Sequence, residues 1–410
     1  MIDLTQHIRP GDTVVIGQGT AEPRSLVEAL IAQRHALGGV RVLAGASFTG
    51  LLRPEHADAL RFFGLGGVGE TARLTRAGVV DVLPVHLGSL PQLIASRRLP
   101  VDVVLVQLSP ADASGHHSLG LVTDYMLAAI DAARVVLAEV NPHVPWTEGD
   151  AAVPTTRIAE ILHDDRPLVT LEHRAPTAAD EAIAEHLAAL IPDGATLQLG
   201  IGATPDAVLA RLRDRRDLGI HSGLMSDSLL DLIEAGAVTN ARKEIDRGVT
   251  VAGALFGTDR LYRWADRNPA LRMRSVAYTH DAHVLGAFGA LYAVNSAIEV
   301  DLTGQINAEM IGGEHVGLIG GQGAFTRAAS TSASGRSIIA LGSVARGGEV
   351  SRIVARLPDG VVTTPRADAD VFVTEHGVAD LRGVPITERR ARMIAIADPR
   401  HRDDLSRSSA

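Results

Sequence analysis

One passage occurs twice in this chain, and its spacing restricts the fold more than anything else in the sequence. Gly11-Asp-Thr13-Val-Val-Ile-Gly17-Gln-Gly19-Thr-Ala-Glu22-Pro23 returns 183 residues later as Gly194-Ala-Thr196-Leu-Gln-Leu-Gly200-Ile-Gly202-Ala203-Thr204-Pro205. The glycines and the threonine superpose without a gap, and an apolar stretch with helical composition follows each copy. Each reads as strand, tight turn, helix. Two such units predict an internally duplicated α/β protein. In open α/β sheets, turns at the carboxyl ends of strands are where ligands bind.

The rest of the chain fits that frame. Val14 to Ile16, Val40 to Leu43, Val101 to Leu108 and Arg134 to Val140 are near-continuous apolar runs, as expected of parallel strands covered on both faces. Pro23 to His35 and Leu119 to Ala133 read as helices between them. A helix over Ala178 to Ile191 opens the second half. Strands are then predicted over Ala195 to Leu199, Val249 to Ala254, Leu291 to Asp301, Ser337 to Leu341, Gly360 to Thr364 and Asp370 to Thr374. A second echo accompanies the first, because Val103 to Gly115 and Ala293 to Gly304 both end in Asp-x-[Ser/Thr]-Gly, a turn chemistry suited to a strand exit. The division predicted is 1–175 and 176–410, two related open α/β domains, with the second glycine turn and the later glycine-rich loop in the second.

Composition removes several classes of function. With 46% hydrophobic residues, 410 residues can bury large cores. A net charge of −9 and only 3% aromatic residues give neither the basic footprint nor the stacking platforms of a nucleic-acid binder. No cysteine is present, which rules out a thiol nucleophile. The N-terminus lacks the pattern of a secretory signal, and no apolar run approaches the ~20 residues of a membrane span, so a cytoplasmic protein with no membrane partner is expected. Lys243 is the only lysine, a bias read as codon usage.

Among possible sites, the turn Gly200-Ile201-Gly202 allows close approach of a ligand to the backbone, and the following helix offers free N–H donors for a phosphate or an oxyanion. Neither copy is a Walker loop, since no Gly-Lys-[Ser/Thr] follows. Gly64-Leu-Gly66-Gly67-Val-Gly69 matches G-x-G-x-x-G but has no acid at the right distance, which argues against a dinucleotide. Gly312 to Gly323 is a second glycine-rich loop, read as backbone lining a ligand. His116 and His117 are adjacent and cannot chelate together from a strand; His280-Asp281-Ala-His283 has poor metal spacing, and no metal is expected. There is no Gly-x-Ser-x-Gly elbow. Acids at strand ends remain: Glu139, Glu299, Asp301, Glu309 and Glu375.

These residues resemble the acetyl-CoA hydrolase/transferase family, relatives of 4-hydroxybutyrate, butyryl and succinyl CoA-transferases. The likeness runs through Gly19-Thr-Ala-Glu-Pro23, Ala72 to Gly78, Leu99-Pro-Val-Asp102, Ala138-Glu-Val-Asn-Pro142, Leu197 to Ala203, Asn295 to Gln305, Gly320-Gly-Gln322 and Thr374 to Gly383. It implies a site in the crevice between two α/β domains, usually in a homodimer, with coenzyme A as part of the acyl-CoA substrate and a carboxylate as acceptor. It further implies CoA binding by Gly200, Ile201, Gly202, Ala203 and Thr204 and by Gly320, Gly321, Gln322 and Gly323. The first glycine turn, with Glu22, is expected on the acceptor side.

The family's nucleophile is the glutamate of a His-Thr-Glu-Met-x-Ser-Asp-Gly stretch, which attacks the acyl-CoA and becomes a glutamyl thioester. Here the matching stretch is His221-Ser222-Gly223-Leu224-Met225-Ser226-Asp227-Ser228, and Gly223 falls on the glutamate. The ping-pong route through a glutamyl-CoA thioester is therefore expected to be absent. Three alternatives follow: hydrolysis or acyl transfer to another nucleophile in the same cradle, replacement of the glutamate by an acid such as Glu299, Glu309 or Asp227, or acyl-CoA binding without turnover, as a partner subunit. His221, Ser226 and Asp227 flank the vacated position and are the residues to test first. The space beside Gly223 is expected to admit water, an acceptor or a bulkier acyl chain.

Overall fold

The computed structural model describes residues 2–172 and 174–408. The chain forms two compact units. The first comprises 1–172, 251–279 and 314–320, and the second 173–250, 280–313 and 321–410. Two segments of the C-terminal half therefore belong to the first unit.

The first unit is built on a wholly parallel sheet. Its strands are β1 (Thr13–Ile16), β2 (Arg41–Leu43), β3 (Arg61–Gly64), β4 (Val80–Val82), β5 (Val103–Leu108), β6 (Val135–Val140) and β7 (Glu160–His163), in the order β4-β3-β2-β1-β5-β6-β7. The order runs outward in both directions from β1, so the switch point lies between β1 and β5, directly beyond the first glycine turn. All six residues of β5 are buried, which is why that strand reads as a near-continuous apolar run; its one polar residue, Gln107, donates to the Glu22 carbonyl. Leu26 and Leu30 of the following helix, Arg24–Gln33, pack with Val14, Val42, Phe62 and Leu105 in the core.

The second unit repeats the plan. Strand β8 (Thr196–Leu199) is flanked by β9 (Gly219–Ser222) and β10 (Leu291–Asn295); β11 (Arg336–Ala340), β12 (Val371–Thr374) and β13 (Gly377–Asp380) follow, with only β12–β13 antiparallel among these pairs. Each glycine turn thus leaves the central strand of its sheet at the switch point. The two Asp turns also match atom for atom. The Oδ1 of Asp112 accepts from the N–H and hydroxyl of Ser114 and from the N–H of His116, and the Oδ1 of Asp301 accepts from the N–H and hydroxyl of Thr303 and from the N–H of Gln305. The helix Ala178–Leu190 is closed by a reciprocal cap between Thr177 and Asp180.

Three expected elements differ. The run Leu291 to Asp301 breaks after Asn295, and Glu299–Asp301 joins a small separate sheet with Ile306–Asn307 and Ile353–Val354. Arg352 causes the break to hold, its guanidinium donating to the carbonyls of Ala297 and Ile298. Gly360 to Thr364 is not a strand, since only Thr364 bridges to Ile306. The helix expected over Leu119 to Ala133 is confined to Met126–Ala132. Asp124 has φ +28°, and the Thr123 hydroxyl donates to the carbonyls of Gly253 and Arg274, so the backbone there is committed to other partners.

Candidate functional site

In the second unit, β8 delivers the chain to Gly200, Ile201 and Gly202, and the helix Ala203–Arg211 begins at once. Gly202 has φ +125° and needs to be glycine for its backbone alone. Gly200 lacks that excuse. Its backbone is not left-handed, and a β-carbon added there would meet nothing within 4 Å. Ile201 between them is 38% exposed. Nothing inside the fold requires glycine at 200, whereas a ligand lying against the backbone would. The Thr204 hydroxyl donates to Asp180, so at that position the backbone rather than the side chain remains for a ligand.

The first copy of the turn is closed. A β-carbon on Gly17 would stand 2.8 Å from the Ala21 carbonyl, and one on Gly19 would stand 2.5 Å from the Phe256 ring. Gln18 is buried, donating to Asp124 at 2.6 Å and accepting from the Ala46 N–H at 3.0 Å. Glu22 is also buried, taking the Ser47 hydroxyl at 2.7 Å, and burial pushes its carboxyl above the ordinary range. Glu139 is raised to about 7 by burial, and Asp124, sealed completely, also to about 7.

Strand β9 runs beside β8, with Leu197 opposite Ile220, and the Ser222 hydroxyl donates to the Leu199 carbonyl. The turn holding Gly223 therefore emerges next to the open Gly200 turn. His221 is buried against Phe288 with ring centroids 4.9 Å apart. Ser226 stands at the N-cap position of the helix Asp227–Glu234 without a side-chain capping bond, and both Ser226 and Asp227 are buried. The space expected beside Gly223 is taken by a side chain that the sequence did not single out for this role. A β-carbon at 223 would lie 3.0 Å from Cε1 and 3.4 Å from Nε2 of His280.

The remaining candidates divide. Gly321 caps the helix Gln322–Thr331 and lies under the same imidazole, and Gln322 donates to the Thr364 hydroxyl at 3.2 Å. Gly320 belongs to the first unit, where its carbonyl accepts from the Leu87 N–H. Glu299 accepts from the Asn307 amide at 2.9 Å, and Glu309 from the Thr363 hydroxyl at 2.7 Å. Each has structural work in the small sheet around Ile306–Asn307. Asp281 caps the helix Ala282–Gly286; His280 before it is buried and His283 within it is exposed, and among the described residues no group of three or more metal-type side chains gathers. The glycines of Gly64 to Gly69 are packing devices. Added β-carbons at Gly64, Gly66 and Gly69 would lie 2.2–2.3 Å from the carbonyls of Ala44, Gly317 and Ser47. No helix among the described residues is long and apolar enough to cross a membrane.

Fold and turn together define a duplicated α/β protein with an open glycine turn at the switch point of its second sheet. The chain belongs to the acetyl-CoA hydrolase/transferase family: residues 2–172 match its N-terminal domain and 257–409 its C-terminal domain. It is 38% identical to the 4-hydroxybutyrate coenzyme A transferase of Clostridium kluyveri, over 96% of this chain and 92% of that protein. It is 35% identical to the succinyl-CoA:cyclohexane-1-carboxylate CoA transferase of Geobacter metallireducens, over 100% and 94%. The crystal structure of RipA from Yersinia pestis superposes with a TM-score of 0.94 at 35% identity, covering 99% of this chain and 95% of that one.

Proposed function

We propose that the protein binds an acyl-CoA thioester along Gly200 to Thr204 and acts on its carbonyl, by hydrolysis or by acyl transfer to a free acceptor, without a glutamyl thioester on the enzyme. The observation that carries this reading is the pair of turns leaving β8 and β9. Gly200 is open and unexplained by the fold, and Gly223 beside it offers no carboxylate. Relatives named as CoA-transferases supply the substrate class. The helix N-terminus behind Gly202 suits phosphate oxygens or a developing oxyanion. Substitution of the missing carboxylate by Glu299 or Glu309 is disfavoured, because both are held by Asn307 and Thr363.

The test is a panel of acyl-CoAs with and without carboxylate acceptors, following free CoA with a thiol reagent. Release of CoA without acceptor supports hydrolysis. Ping-pong exchange with a borohydride-trappable enzyme thioester would sink the claim that Gly223 removes the covalent route. Binding of CoA with no turnover across the panel would favour a non-catalytic binder.

A further inference from the structure

His116 and His117 are neighbours on the strand His116–Ser118, but their rings enter different surroundings. Nδ1 of His116 meets the Ser114 hydroxyl at 2.9 Å, in an exposed turn. His117 is 3% exposed and forms the floor of a cavity of about 670 Å³ together with Val140 and Asp164, which are also buried. The cavity lies wholly in the first unit, beyond the point where β5, β6 and β7 end in register at Leu108, Val140 and His163. Carboxyl ends of parallel strands are where open α/β sheets hold ligands. The polar side chains around it are mostly acceptors. Nδ1 of His117 lies 2.7 Å from the Ser109 carbonyl, which can only accept, so Nδ1 carries the proton and the neutral ring keeps a lone pair on Nε2. Among the described residues that buried nitrogen has no hydrogen-bond partner. The Thr155 hydroxyl donates to the Gly115 carbonyl at 2.9 Å, which leaves its oxygen to accept. Asp165 adds an exposed carboxylate at the rim, where His163 can take either role. Asp164 is committed, accepting from the Ser25 hydroxyl at 3.0 Å and the Arg166 guanidinium at 2.8 Å.

We propose that this cavity is a binding site for a small hydrophobic amine. Its ammonium donates to Nε2 of His117, the Asp165 carboxylate supplies the counter-charge, and its carbon frame lies against Val140, Ile161 and Pro142. An ammonium has three donors and no acceptor, which complements a lining of acceptors with neither Lys nor Arg in it. A carboxylate or phosphate meets no cation of that kind and is repelled by Asp165. An alcohol can satisfy Nε2 but gains nothing from the carboxylate. The free energy that favours a donor is that of the orphaned acceptor, since a buried polar atom without a partner forfeits its hydration and recovers it only when a matching group arrives. The Gly200 turn belongs to the second unit, so this site stands whether or not the thioester reading does.

The experiment is calorimetric titration of the whole protein with cyclohexylammonium and with cyclohexanol, in wild type, His117→Asn and Asp165→Asn, with melting temperatures alongside. His117→Asn keeps an N–H for the Ser109 carbonyl and removes Nε2; Asp165→Asn keeps the shape of the rim and removes its charge. Wild type should bind cyclohexylammonium with a dissociation constant of about 1 mM or tighter, and cyclohexanol about tenfold more weakly. Each variant should bind the ammonium at least about fivefold more weakly than wild type. Wild type that does not bind the ammonium, or binds it no better than cyclohexanol, overturns the proposal. So does a folded His117→Asn protein with unchanged affinity, which would put the amine elsewhere. If His117→Asn does not fold, the exposed Asp165→Asn decides alone: a fivefold loss supports the site, and unchanged affinity overturns it.

Discussion

The ring of Phe256 lies 2.5 Å from where a β-carbon on Gly19 would be, at a residue whose φ is +64°. Gly19→Ala must therefore adopt a left-handed backbone and displace an aromatic ring. Together these should cost about 3 kcal/mol. Urea unfolding of the variant should show the midpoint falling with an unchanged slope.

The corresponding turn in the second unit predicts the opposite dissociation of effects. Gly200→Ala meets no neighbour and no backbone penalty, so folding stability should stay within about 0.5 kcal/mol of wild type or rise slightly. Ligand approach is what the methyl obstructs. Calorimetric titration should show CoA affinity reduced tenfold or more while the melting temperature holds. A variant that binds CoA as wild type does would remove Gly200 from the cradle.

Asp124 accepts one short hydrogen bond from Gln18 in a fully buried setting, and burial raises its carboxyl from 3.8 to about 7. Between those values the folded protein holds a proton that the unfolded chain has lost, so stability falls as pH rises from about 4 to about 7 and is level above. The full penalty is about 4 kcal/mol. Asp124→Asn keeps an acceptor for Gln18 and removes the titration. It should melt higher than wild type at pH 8, with the difference gone by pH 4. A constant difference across that range would count against Asp124 as the titrating group.

The duplicated turns were legible because their requirements are local: glycines at fixed offsets, and an aspartate whose carboxylate closes on residues two and four further along. The relationship of His280 to Gly223 was not. The two positions lie far apart in sequence, and a glycine gives no sign of which side chain will fill its place. The resemblance implies a family carboxylate at position 223, and no motif carries a sign that the His280 ring packs against that position. Asp124 was missed for a related reason. Leu119 to Ala133 has helical composition, and composition does not register a φ of +28° or a threonine hydroxyl spent on two distant carbonyls.

The Asp112 and Asp301 turns make the same hydrogen bonds at different depths, which lets burial be tested at fixed chemistry. Asp301 is 8% exposed, and Asp301→Ala strands the N–H groups of Thr303 and Gln305 and the Thr303 hydroxyl. A loss of about 2–3 kcal/mol is expected from urea unfolding. Asp112→Ala, in a turn that water reaches, should cost clearly less. Equal losses would mean the turn geometry, rather than burial of its partners, sets the cost.

Lys243, the only lysine of the chain, is buried beneath β9, where its ammonium donates to the carbonyls of Ile220 and Val249 at 3.0 and 2.7 Å. Ile220 precedes His221, so this contact anchors the strand that carries the candidate site. Burial lowers the ammonium from 10.5 to about 8, and the nearby charge of Asp246 offsets that only in part. Below pH 8 both folded and unfolded chains hold the proton; between about 8 and 10.5 only the unfolded chain does, so stability rises with pH across that window by up to about 3 kcal/mol. Lys243→Met leaves two carbonyls without a donor and loses this pH response. Its deficit against wild type in urea unfolding should be about 2 kcal/mol at pH 7 and should widen towards pH 10. A deficit that narrows instead would mean the ammonium is not the group that burial destabilises.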